Sequence, residues 1–443
     1  MHSRLCMPSV PSIRFIKMAT TALAILFSLP ALAEDQPFNL HFQSTVVTQN
    51  HESFTSPYQG QNSLSPSHDS QTSTTSTVFG GVKLWAGAEA YLNPELSGGS
   101  GFNKTQGLAG FPNGEIYRVD DANPKWSLAR LFFKQTFGFG GPREEIQDDK
   151  NQLSTSVDVN RFTIVAGKFA LNDYFDNNTY SHDPRTQFLN WVFMDHGAWD
   201  YAADTRGYSW GLYFEFNHPS WTVRFASVLE PLRANQLEMD TNFPTSRGDN
   251  IELESRYSIH DLPGAARLLL FANHARMGNY RATIADPGNQ MDVTRTRARS
   301  IKYGIGFNLE QKLLADLGLF LRASWDDGHT ETWAFTEIDR SVSLGLSLKG
   351  NRWKRESDTV GLAVVANGLS PDHEAYLNDG GYGFIVGDGQ LNYQPEVILE
   401  AYYLFQVFRG FALTGDYQFI DHPAYNADRG PVSVLSARVH YEM

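Results

Sequence analysis

The chain of 443 residues has a single cysteine, Cys6, so no disulfide can form within one copy. Charge is also scarce. Asp, Glu, Lys and Arg make up 19% of the residues, low for a soluble protein of this length. The charge present leans acidic, with 49 carboxylates against 36 Lys and Arg and a formal net charge of −13. Nucleic-acid binders show the opposite balance, so nucleic acid is excluded as a main partner. Beyond the N-terminal region no apolar run has the length of a membrane-crossing helix. Aromatics, by contrast, are plentiful, at 13% with 30 Phe and 19 Tyr. Disorder needs few aromatics and much charge, and is excluded.

The first 33 residues read as a secretory signal peptide. Arg4, Arg14 and Lys17 form a basic start, Met18 to Leu29 is mostly apolar, and Ala31-Leu32-Ala33 is a small-x-small cleavage site before Glu34. About a dozen apolar residues are too few to span a bilayer. Cleavage removes three positive charges and no carboxylate, taking the net charge from −13 to −16. The mature chain then holds no cysteine.

What recurs in the mature chain is a period of two. In Val78–Leu92, Val78, Val82, Leu84, Ala86, Ala88, Ala90 and Leu92 share one face while Lys83, Trp85, Glu89 and Tyr91 share the other. The same alternation returns at Trp126–Gly140, Phe162–Leu171, Tyr208–Phe216, Trp221–Leu229, Ile251–Ile259 and Ala266–Ala275. It continues at Ile301–Leu309, Leu319–Trp325, Val342–Leu348, Val360–Ala366, Val397–Val407, Phe411–Phe419 and Val432–Met443. Short links (such as His218–Ser220, Asp261–Gly264 and Phe408–Gly410) largely alternate with long ones (such as Asn93–Lys125, Asn172–Gly207 and Gly368–Gln394). An outer-membrane β-barrel predicts that pattern, with tight periplasmic turns and long extracellular loops. Aromatics at strand ends, as in Phe133-x-x-x-Phe137-x-Phe139 and Tyr403-x-Phe405, suit the girdles at the two lipid interfaces.

The expected architecture is therefore all-β, a transmembrane antiparallel barrel. Three spans follow: the signal peptide at 1–33, an N-terminal segment at 34–77, and the barrel at 78–443. Fourteen strands run from Val78 onward, and Phe38–Thr48 makes a fifteenth. An even barrel needs one more, and Ser53–Thr77, rich in Ser, Thr, Pro and Gln, offers no candidate. Periodicity thus leaves fourteen and sixteen both open. The last strand alternates to the C-terminus, as a strand read by the barrel-assembly machinery does, although it ends in Met443 rather than the usual Phe.

If the apolar faces meet lipid, the alternate residues line the lumen. They include Lys83, Trp85, Glu89, Arg130, Lys134, Tyr213, Glu215, Arg224, Arg322, Glu400, Tyr402, Asp416 and Arg438. An anion pore would be lined mainly by Arg and Lys. Mixed charge with aromatics suits a neutral solute rich in hydroxyls. The Asn172–Gly207 link is long enough to expect a role. Its Phe188, Trp191, Val192, Asp195 and Trp199 stand at helical spacing, predicting a short helix. The link is expected to fold into the barrel as a constriction, presenting Asp176, Asn178, Arg185, Asn190, Trp191, Asp195 and Arg206 to the solute. Two other readings stay open: an extracellular lid, and a structural turn at Asp183-Pro184-Arg185.

Catalytic signatures are lacking. There is no HExxH, no spaced His cluster and no G-x-S-x-G elbow, and Gly380-Gly381-Tyr382-Gly383 precedes no helix that could receive a phosphate. The reading is a channel, not an enzyme, with no cofactor and no metal.

Four segments carry a family resemblance: WAGAEAYLNPEL (85–96), GLAGFPNGEIYRV (107–119), GKFALNDYFDNNTYSHDPRTQFLNW (167–191) and AWDYAADTRGYSWGL (198–212). In order and together they resemble the carbohydrate-selective porin family typified by OprB, from about Phe38 to the C-terminus. The resemblance implies a sixteen-stranded outer-membrane barrel that passes small carbohydrates without an energy source, and leaves the particular sugar open. It also implies outer-membrane lipid and the assembly machinery as partners; a homotrimer is common among porins. The alternatives are a channel exporting a polysaccharide and, further off, a barrel-embedded hydrolase.

Overall fold

The computed structural model describes residues 36–116, 121–286 and 288–443. The expected signal peptide at 1–33 lies outside them. Alternating residues pleat into long strands, and sixteen of these close into one antiparallel barrel. In chain order the first strands are β1 (Phe38–His51), β2 (Asp69–Trp85), β3 (Ala88–Gly99) and β4 (Asp121–Gly138). A small separate hairpin follows, β5 (Arg143–Ile146) and β6 (Thr155–Asp158). The wall resumes with β7 (Arg161–Phe169), β8 (Ser209–His218), β9 (Trp221–Leu229), β10 (Arg247–Ile259), β11 (Leu262–Met277) and β12 (Ala298–Lys312). It is completed by β13 (Leu317–Asp326), β14 (Arg340–Gly350), β15 (Arg355–Gly368), β16 (Glu396–Phe408), β17 (Phe411–Asp421) and β18 (Val432–Glu442). Closure is the β1–β18 pairing, with Thr45 opposite His440 and Val47 opposite Arg438.

Sixteen, not fourteen, is therefore the count, and the strand that alternation concealed lies inside Val78–Leu92. That segment is two strands, the end of β2 and the start of β3, joined at Ala86-Gly87. Gly87 takes φ +74°, and a Cβ there would meet the Thr136 carbonyl oxygen at 2.3 Å. Directly opposed residues of an antiparallel pair share a face. Here Gly81 opposes Tyr91 and Lys83 opposes Glu89, odd numbers facing odd numbers. A register shift between Lys83 and Trp85 preserves this parity, since Trp85 opposite Ala88 alone would set odd against even. The period of two thus runs through the turn without a change of phase.

The beginning of β2 was hidden for a different reason. Ser73, Thr75 and Thr77 are buried inward while Thr72, Thr74 and Ser76 face outward. Both faces carry hydroxyls, so hydropathy does not vary along the strand. The barrel begins at Phe38, and a boundary between 77 and 78 would cut β2 in two.

Outward positions form an exposed apolar belt that includes Leu268, Leu270, Ile305, Phe307, Leu344 and Leu346. Inward positions are mostly polar and largely buried, because the long links fold into the barrel and cover them. The interior has its own apolar core in which Phe188 packs on Phe320 and Tyr402, and Trp191 on Phe111 and Phe335, with ring centroids 4.9–5.7 Å apart. One periplasmic link breaks the rule of short turns. Residues 139–160 carry the β5–β6 hairpin and fold back into the periplasmic mouth of the barrel.

Candidate substrate channel

Backbone N–H groups drawn into a barrel need acceptors, because water cannot reach most of them. The wall supplies carboxylates. Glu400 on β16 accepts the amides of Leu189 and Asn190, and Glu252 on β10 accepts that of Asp176 at 2.7 Å. Glu396 accepts the amides of Ala109, Gly110 and Ala424 at 3.0, 2.6 and 2.8 Å. Asp200 within the long link accepts those of Trp333, Ala334 and Phe335, each at 2.8 Å. Charge-assisted bonds of this kind are among the stronger ones a protein makes.

Arg322 on β13 acts as the central peg. Its guanidinium is 3.0 Å from Asp176 and donates to the carbonyls of Phe193 at 3.0 Å and Ser181 at 2.7 Å. His196 stands 3.3 Å from the same Asp176, over Gly306 on β12, where a Cβ would meet the imidazole at 2.4 Å. Burial pushes the His196 imidazole down to about 4, against the pull of Asp176. Burial likewise pushes the Asp195 carboxyl up to about 6, against His182 at 3.8 Å.

The link is thus fastened to β10, β12, β13 and β16. It stands away from the opposite wall, and the space left is a cavity of about 310 Å³. That is the lower end of the size range of small-molecule sites. From the wall come Gln43, Thr75, Phe79, Glu95 and Arg130; from the links come Glu115, Asp173, His182, Asp183, Arg185, Trp191, Arg206 and Tyr208. Arg130 forms a two-point pair with Asp173 and lies over the Tyr208 ring, 5.1 Å from its centroid. Arg185 stands 3.0 Å from Glu115 and 3.6 Å from Asp183. Burial raises the Glu115 pKa, and Arg185 opposes that shift. Against burial, Arg185 holds Asp183 below the usual carboxylate range.

Below this cavity, towards the periplasm, opens a vestibule of about 880 Å³ walled partly by the β5–β6 hairpin. Lys150, Asn151, Asp173 and His182 border both spaces and mark the neck between them. The hairpin is pinned in place: Asn39 donates to Asp148 at 2.8 Å, Tyr91 accepts the Leu153 amide at 3.0 Å, and Lys150 reaches Glu442 at 2.6 Å.

The residues singled out from sequence fall into two groups. Arg130, Arg185, Trp191 and Arg206 line the cavity, while Lys83, Trp85 and Glu89 line the vestibule. Trp85 is 58% exposed at the barrel's rim and donates to Gln135 at 2.9 Å, and Glu89 pairs with Lys134 at 2.7 Å. Asp176, Asn178, Asn190, Asp195 and Glu400, by contrast, are buried in contacts between link and wall, each 5% exposed or less. The expectation that the first four face the solute is corrected on that ground: they bond to Arg322, Asn308, Gln418 and Asn172 respectively.

The expected helix reduces to one 3₁₀ turn, Trp191–Phe193, capped by Asn190, whose side chain accepts the Val192 amide. Amides just before it are taken by Glu400, so the helical ladder has no start; tertiary bonding overrides the local spacing. Asp183-Pro184-Arg185 is indeed a turn, with the Gln187 amide on the Asp183 carbonyl at 2.9 Å. It also lines the cavity. Sequence reading passed over Glu115, Asp173 and Tyr208 as lining residues. Glu115 and Asp173 sit inside the family segments at 107–119 and 167–191, which is the signal that could have found them.

The chain matches the model of the carbohydrate-selective porin, OprB family, over residues 61–443. No curated protein matches it. Among solved structures it resembles OprB of Pseudomonas putida at high pH, with a TM-score of 0.67 and 15% identity over 92% of this chain and 94% of that one. It also resembles the outer membrane channel DcaP of Acinetobacter baumannii, with a TM-score of 0.52 and 9% identity over 92% of this chain and 97% of that one. At such identities the likeness speaks to fold. The family match speaks to kinship and places the protein in the Gram-negative outer membrane: this chain belongs to the carbohydrate-selective porins of the OprB family.

Proposed function

We propose that this porin lets small sugars cross by passive diffusion along an off-centre path, through the 310 Å³ cavity, past the neck at Lys150 and Asn151, and out by the vestibule. The observation that carries the reading is the pairing of charge in the cavity. Arg130 with Asp173, and Arg185 with Glu115 and Asp183, present planar donors and acceptors whose fields largely cancel. A selective ion pore keeps one sign in excess. A neutral polyol needs the donors and acceptors without the excess, and weak binding so that it can leave. Arg130, Arg185, Trp191 and Arg206 are the proposed contacts in the cavity, followed by Lys83, Trp85 and Glu89. Asp176, Asn178, Asn190, Asp195 and Glu400 act by holding the constriction link in position.

Family and fold are those of a channel, and transport without catalysis is the reading we adopt. Export of a polysaccharide is disfavoured, because a cavity of this size suits a small solute better than a polymer. As partners we propose lipid around the apolar belt, the assembly machinery reading β18, and a homotrimer as the assembly to look for by crosslinking in membranes. The function is tested by liposome swelling with a graded series of neutral sugars. Monosaccharides should enter faster than trisaccharides, and R130Q or R185Q should flatten that preference. Equal rates for all sugars in the native protein would overturn the proposal.

A further inference from the structure

The outer wall carries a feature that transport does not use. At the extracellular ends of β11 and β12, Arg276 and Arg299 are direct cross-strand partners. Both are exposed and both point outward, in phase with lipid-facing Leu270 and Ile301. Arg340, which opens β14, is exposed on the same outer face opposite Trp325. Like charges directly opposite one another on a sheet repel. Among the described residues none of these three guanidiniums has an ion pair or side-chain hydrogen bond. Among the described residues, the one carboxylate on the outer face within strands β10 to β14, Asp249, is already held by Arg247 at 3.0 Å and Ser227 at 2.6 Å, with His274 at 3.5 Å.

The whole chain carries a net charge of −13, so a facing pair of unneutralised arginines runs against its composition. Its height is informative. Tyr303 and Trp325, ring centroids 6.0 Å apart, belong to the exposed aromatic band at the edge of the apolar belt. Arg299 lies four residues further out along β12, about 13 Å of strand before tilt. Arg276 and Arg299 therefore sit at headgroup level on the side of the long loops, which is the outer leaflet, whereas Arg340, paired with Trp325, stands lower, level with the aromatic band.

We propose that Arg276 and Arg299 form a docking site for a phosphate group of a phosphorylated glycolipid of the outer leaflet. A phosphate between opposed guanidiniums converts one repulsion into two bidentate attractions. Acyl chains would then run down the belt past Ile301 and Leu344. A free phosphate ion has no wall to enclose it on this open surface; a membrane-anchored one is kept there by its chains.

The test is native mass spectrometry of the intact barrel in detergent, titrated separately with bisphosphorylated lipid A, fully dephosphorylated lipid A and phosphatidylglycerol. Bisphosphorylated lipid A should bind about tenfold more tightly than either other lipid. The variant R276Q/R299Q should lose about tenfold for that lipid alone, with heat-modifiable migration and sugar permeation unchanged. R409Q, at a periplasmic turn, should bind as the native protein does. Should the double variant fail to fold, R299Q alone, expected to lose about threefold, decides the matter. Equal binding of dephosphorylated lipid A, equal binding of phosphatidylglycerol, or an unchanged affinity in the arginine variants would each overturn the proposal.

Discussion

The two sides of the barrel interior are built on opposite plans. Facing β10, β12, β13 and β16 the lumen is solid. There Arg322, Glu252 and Glu400 hold the link by its own backbone, and His196 fits over a glycine. Facing β1 to β4 it is hollow, and Arg130 and Arg185 border an open cavity with their carboxylate partners. Both sides use the same residue types. On one side charge serves to fix the chain; on the other it is held in fixed places where a solute can meet it. Rigidity on the first side is what lets the second keep a narrow gap, since a site works only when its supporting contacts are locked.

The largest break of this contrast should come from the peg. Arg322→Leu leaves Asp176 buried beside an uncharged side chain, and should cost roughly 3–5 kcal/mol, as removal of one partner of a buried pair does. Urea unfolding followed by tryptophan fluorescence measures it. The outer wall gives the next effect: Leu346→Arg should cost roughly 2–4 kcal/mol if the residue lies near the midplane. An equal loss on replacing inward-facing Glu89 by Gln would mean that the two faces have been interchanged.

Acid should loosen the fixed side. The His196 imidazole sits at about 4 in the folded protein against 6.5 for the free side chain. Its contribution is complete above pH 6.5 and lost as the pH falls through 4, on the order of 2–3 kcal/mol. Asp195, pushed up to about 6, works in the opposite direction over part of that window. The informative quantity is therefore the difference between native protein and H196Q, which should shrink from pH 7 to pH 4. A constant difference would show that His196 takes no part.

The smallest effect on stability should accompany the largest on transport. Arg185→Gln and Arg130→Gln keep a hydrogen-bonding side chain beside carboxylates that border open space, and should cost less stability than loss of the peg. Single-channel conductance and its block by sugars should both change. If neither moves, the path runs elsewhere.

How far the sequence could be read followed from which residue pattern each feature leaves. The lipid belt leaves alternation, so nearly every strand was legible, Leu346 and Glu89 on their proper faces included. β2 and β3 merged because an even register sum hides a turn. The first half of β2 was missed because Ser and Thr occupy both of its faces. The constriction link was legible as a unit from its length and aromatics. The duties of its residues were not. Asp176 and Arg185 look alike in sequence, and only the wall opposite each decides which is buried against Arg322 and which borders open space.

The fastening of the link also bears on how the barrel is made. The link leaves β7, yet its partners Glu252, Asn308, Arg322, Glu400 and Arg438 lie on β10, β12, β13, β16 and β18, all later in the chain. Those partners do not exist as a surface until the sheet has curled far enough to face itself. A link left outside would strand its aromatics in water and the wall's carboxylates without their amides. Docking of the link is therefore coupled to completion of the hoop, because its partners come to face it only as β10 to β18 join the sheet.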